Sequence, residues 1–85
     1  MMNIEMAVIK PLCSLSEGEI GEIVQVRGKP DVHRYLYGKG LTMGRMISVD
    51  NAGVISGNAC LTVRSGGKTA TLEKEMAHNI KVRVA

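Results

Sequence analysis

Short runs of alternating apolar and polar residues, separated by glycines, set the pattern of the sequence. From Arg45 to Asp50, Ile47 and Val49 fall on one face and Met46, Ser48 and Asp50 on the other, the period of a half-buried strand. Ala59, Leu61 and Val63 share a second such face opposite Cys60, Thr62 and Arg64. Gly66-Gly67 is a two-residue hairpin signal, and Ala70 and Leu72 continue the apolar face on the returning strand. Ile80, Val82 and Val84 alternate with Lys81 and Arg83 in a closing strand. Earlier, a first strand is expected near Met6 to Ile9 and another around Glu22 to Val26, joined through Pro11 and the turn Ser14-Leu15-Ser16-Glu17-Gly18, with Leu12 and Leu15 packed beneath. Asn51-Ala52-Gly53 and Ser56-Gly57-Asn58 mark a long loop or arm.

One stretch departs from the period of two. Val32, Tyr35 and Leu36 follow Pro30-Asp31 at helical spacing, which predicts about two turns of helix capped by Asp31, stopped by Gly38 and Gly40, and turned inward on Val32, Tyr35 and Leu36. Glu73 to His78 predicts a single helical turn. Five or six short strands favour a mainly β fold, a small barrel with one short helix and a helical turn, because closure removes exposed sheet edges.

With 85 residues, one domain spanning 1–85 is expected. A chain this size buries only about 60 to 65% of its unfolded surface, so function is expected at the surface and not in a deep cavity. The chain contains no Phe or Trp and only Tyr35 and Tyr37, so the core must be aliphatic. The lack of rings also weighs against grooves for proline-rich peptides and platforms for unpaired bases. The six methionines are read as filling that core.

Charge is segregated. Residues 1–26 set Lys10 against Glu5, Glu17, Glu19 and Glu22, whereas residues 27–45 set Arg27, Lys29, Arg34, Lys39 and Arg45 against Asp31 alone. The basic middle is the candidate electrostatic footprint. On the predicted helix and the turn after it, His33, Arg34, Tyr37, Lys39 and Arg45 are the candidate partner-binding residues: a basic surface with one aromatic anchor, as binding hot spots often have. A nucleic-acid-binding barrel is an alternative from another class, weakened by the missing aromatic interleaving. No secretory signal and no apolar run near the ~20 residues of a membrane span is visible, so a cytoplasmic location without membrane insertion is expected.

Gly66-Gly67-Lys68-Thr69 resembles the end of a phosphate-binding loop, but Thr62 stands where that loop needs glycine and a strand follows where it needs a helix. Gly18-Glu19-Ile20-Gly21 reads as a turn into a strand. Cys13, His33, Cys60 and His78 could in principle hold a tetrahedral metal, yet no two lie at a local chelating interval, and both cysteines are read as free thiols. No nucleophile with a base, and no paired carboxylates, can be assembled into a catalytic site, so no enzymatic activity is expected.

From Lys10 to Val82 the glycine and aliphatic pattern resembles the FeoA family. The likeness runs through Leu12, Leu15, Gly18 and Gly21-Glu22-Ile23, then Leu36 with Lys39-Gly40-Leu41-Thr42-Met43-Gly44, then Ile47, Val49, Leu72, Ala77, Ile80 and Val82. Lys39 and Met43 depart from it, at places often apolar and often proline. The resemblance implies an SH3-like barrel that serves bacterial ferrous-iron uptake beside the transporter FeoB, with FeoB's cytosolic GTP-binding domain as partner. No cofactor is implied as required, and weak or transient binding of a transition metal such as iron is left open. Stimulation of GTP hydrolysis would call for an arginine finger, for which Arg34 or Arg45 could serve. The C-terminal barrel of iron-dependent repressors is a relative by fold and makes a regulatory module the alternative, although 85 residues leave no room for a winged helix-turn-helix.

Overall fold

Alternation becomes sheet. The computed structural model describes residues 8–84, in which six antiparallel strands form one sheet of order β1-β6-β2-β3-β4-β5. The strands are β1 (Val8–Pro11), β2 (Ile20–Val26), β3 (Met46–Ile55), β4 (Asn58–Ser65), β5 (Lys68–Glu73) and β6 (Ile80–Val84). A 3-10 turn, Leu12–Ser14, follows β1; helix α1 (Pro30–Gly38) joins β2 to β3, and helix α2 (Lys74–His78) joins β5 to β6. Of the expected first strand, Met6 and Ala7 lie outside the described residues, and Val8 and Ile9 pair with Val84 and Arg83.

Most of the predicted inward positions form the core, but Ala59, expected on the face of Leu61 and Val63, is exposed. Ile23, Ile47, Val49, Leu61, Val63, Leu72, Ile80 and Val82 are buried, and so are Leu12 and Leu15 in the same core cluster. β1 and β5, at the two ends of the strand order, share no ladder among the described residues. Between them α2 packs on the 3-10 turn, β4, β5 and β6, with Ala77 fully buried. The sheet thus curls into an SH3-like barrel whose seam is filled by a helix.

Of the loop or arm expected from Asn51 to Asn58, the structure has the arm: β3 runs to Ile55 and β4 starts at Asn58. β3 and β4 continue past the barrel as a two-stranded arm, Ala52 pairing with Leu61 and Val54 with Ala59, and turn at Ser56-Gly57, where both φ angles are positive (52° and 82°). Such a turn matches the right-handed twist of a hairpin. The arm starts at a bulge between Val49 and Asn51, where the Asp50 carboxylate accepts bonds from Arg64 Nε (3.0 Å) and Nη2 (2.9 Å). The principal extents of the molecule are 51, 26 and 22 Å.

Candidate functional site

Helix α1 differs from the sequence reading at both ends. Lys29 is the N-cap and Pro30 occupies the first turn, where a missing N–H is harmless, while Asp31 lies inside the helix, its Oδ1 accepting from the Val32 N–H at 3.0 Å. Gly38 is helical. The stop is made at Gly40 (φ +78°): its N–H bonds the Tyr37 carbonyl at 2.9 Å and the Leu41 N–H bonds the Leu36 carbonyl at 2.9 Å. This is a Schellman closure, and its usual apolar contact partners, Leu36 and Leu41, are both buried.

Leu36 is the one fully buried residue of α1, and Val32, one turn earlier, packs against the core edge. Tyr35 does not point inward as expected. It is 44% exposed, with Lys39 Nζ 5.5 Å from its ring centroid. Adjacent helical residues are about 100° apart, so once Leu36 takes the core-facing position its neighbour turns to solvent, where the phenol hydroxyl stays hydrated.

His33, Arg34 and Tyr37 meet on the outer side of α1. With Gly28 and Pro30 they line an open groove of about 570 Å³. A smaller hollow of about 150 Å³ lies against it, formed by Val26, Leu41 and Met43 and sharing His33 and Tyr37. The two side chains therefore make a ridge between two depressions. Tyr37 is 74% exposed and Met43 67%; Tyr37 borders both depressions, Arg34 the larger and Met43 the smaller. Lys39 belongs to the Tyr35 side of the helix. Arg45 stands apart, its Nη1 beside the β4–β5 turn, 3.5 Å from where a Cβ on Gly66 would be. Three of the five candidate residues share one groove, and of the two arginines only Arg34 lines it.

Sequence reasoning missed Gly28, Pro30 and Met43. Gly28 (φ +136°) admits the close entry into α1: a Cβ there would stand 3.2 Å from Val32 Cβ. Met43 and also Met46, 56% exposed, correct the assignment of the methionines to the core; Met76 does pack against it. Met43 follows the Gly40 stop in a tight segment held by the Gly44 N–H to Ile23 carbonyl bond (2.7 Å), which faces it outward. The signal available in the sequence was a methionine set between two turn glycines, Gly40 and Gly44.

The four potential metal ligands are dispersed. His33 lies on α1 and Cys60 in the arm, while Cys13 and His78 come together, Sγ 3.7 Å from Nδ1. Among the described residues no three His, Cys, Asp or Glu side chains converge. Both cysteines are free. Glu19, on the turn into β2, accepts bonds from the Ser16 N–H (3.0 Å) and from Lys10 Nζ (3.2 Å), which together hold its carboxyl below the ordinary glutamate value. Among the described residues no helix is long and apolar enough to cross a membrane.

Known structures share this architecture. A crystal structure of an iron uptake regulatory protein (FeoA) superposes with a TM-score of 0.82 at 24% identity, over 92% of this chain and 100% of that one. The solution structure of the FeoA protein from Chlorobium tepidum gives 0.75 at 26% identity, over 87% and 69%. A manganese-dependent transcriptional repressor gives 0.80 at 18% identity; this chain covers 45% of it, a likeness of fold. No curated protein sequence matches significantly. The family model of the FeoA domain matches residues 10–84, from the end of β1 through β6, so that the barrel, both helices and the groove all lie within it, and the chain belongs to the FeoA domain family.

Proposed function

We propose that this protein is a non-catalytic, cytoplasmic accessory of ferrous-iron uptake that docks on the cytosolic GTP-binding domain of a FeoB-type transporter through the outer side of α1 and the Gly40–Gly44 turn. The observation that supports this most is the groove itself. Tyr37 and Met43 offer apolar anchors, Arg34 offers a charge on the rim, and Leu36 and Leu41 hold both segments to the barrel from below. Exposed aromatic and methionine side chains with an arginine close by are residue types enriched at interfaces. A complementary partner would present an apolar side chain flanked by a carboxylate.

Family membership supports the iron-uptake context, and the structural likeness to an iron uptake regulatory protein agrees with it. Backbone amide mapping tests the surface: on adding the unlabelled FeoB cytosolic domain, the amides that shift should cluster from Gly28 to Gly44. Shifts confined to the β3–β4 arm would place the interface elsewhere. The repressor likeness favours a second reading, a regulatory module joined to a DNA-binding partner, which predicts retention on a repressor-type partner and none on FeoB.

A further inference from the structure

Cys13 and His78 are 65 positions apart, yet each follows a residue with no exposed surface, Leu12 and Ala77. Burial of those two neighbours seats the 3-10 turn against the end of α2, so the two donor side chains start from backbone the core holds in place. Their Sγ and Nδ1 atoms are 3.7 Å apart. Metal bonds of about 2.3 Å to sulfur and about 2.05 Å to imidazole nitrogen, at a tetrahedral angle, put the two donors about 3.6 Å apart. The pair is spaced as two ligands of one ion would be.

We propose that Cys13 and His78 form a two-donor, solvent-open site for a divalent cation of the zinc or cobalt class. Sulfur with imidazole selects that class over magnesium or calcium, which prefer oxygen. Cys13 binds as thiolate, its proton passing to solvent as the sulfur–metal bond forms, and His78 binds as neutral imidazole. With no third His, Cys, Asp or Glu converging among the described residues, the remaining positions are open to water, so the ion exchanges and is not structural. Lys81 Nζ, 3.5 Å from the His78 carbonyl oxygen, opposes a bound cation, and the thiolate has to offset it. The competing account of the same distance is a weak S–H to nitrogen hydrogen bond with no affinity for metal.

Cobalt(II) titration separates the two. In a Cys60→Ser chain, which removes the other thiol, a thiolate-to-cobalt charge-transfer band should grow to saturation. Cys13→Ser in that background should abolish it, and His78→Gln should weaken binding about tenfold or more, since loss of even an outer-shell partner costs that much. In the chain with both residues intact, paramagnetic shifts should centre on the 3-10 turn and the end of α2, a readout that needs no variant to fold. Absence of the band, its survival in Cys13→Ser, undiminished binding in His78→Gln, or shifts centred on His33 would each overturn the site.

Discussion

At Gly21 the β2 backbone passes so near β6 that a Cβ would stand 3.1 Å from Val82 Cβ and 3.2 Å from the Arg83 carbonyl oxygen. Both neighbours are fixed, one as a buried side chain and one as main chain in the ladder. Gly21→Val should therefore destabilise by about 1 to 3 kcal/mol, the range for overpacking a filled core; a urea midpoint equal to wild type would mean the strands part without cost. Glu19 makes a pH prediction whose sign follows from its lowered carboxyl. The folded state favours the ionised form, so its contribution is present above the ordinary value of 4.5 and disappears as pH falls through the lowered folded value. Wild type should lose more stability than Glu19→Gln on acidification below that range, and equal losses in paired denaturation series would show that the Ser16 and Lys10 bonds do not persist in solution. Single residues also mark where the sequence was hard to read. Cys13 and His78 touch across 65 positions with no local pattern to announce it, and Tyr35, apolar by spacing, went outward because Leu36 took the core.

Elements were legible where one physical rule fixed them. The β6 run Ile80 to Val84 and the β4–β5 turn at Gly66-Gly67 followed from strand parity and from two positive φ angles (59° and 81°) that glycine adopts without strain. The arm was not legible as strand, because Asn51-Ala52-Gly53 has poor strand propensity and is held by pairing to β4. Helix α1 and its Gly40 stop were placed but its start was not: Asp31 resembles a cap in sequence, yet the helix begins at Pro30 with Lys29 at the N-cap position. Two measurements follow at this scale. Leu36→Ala should cost about 2 to 5 kcal/mol, because it empties the position that ties α1 to the core. A much smaller loss in denaturant unfolding would mean the helix docks by other contacts. Arm amides from Ala52 to Ala59 should exchange with solvent faster than those of β6, since the arm's residues are exposed and β6 is paired on both sides; equal protection would show that the arm is covered in solution.

For the whole molecule, the barrel separates what holds the fold from what faces a partner. Leu36 and Leu41 point inward beneath the helix and turn, and Arg34, Tyr37 and Met43 stand on the same backbone facing out. Removing the outer atoms should leave the aliphatic core untouched, so binding and stability can be measured independently. The sequence indicated this surface through its basic segment, but it grouped Lys39 and Arg45 with the groove, because charge along a chain carries no information on which side of a turn a side chain lies. The decisive experiment is calorimetric titration of the FeoB cytosolic GTP-binding domain with wild type and with the Arg34→Ala, Tyr37→Ala double variant. The double variant should unfold at the wild-type denaturant midpoint and bind more weakly by about 1 to 3 kcal/mol; binding equal to wild type by a correctly folded double variant would contradict the assignment of this groove as the docking surface.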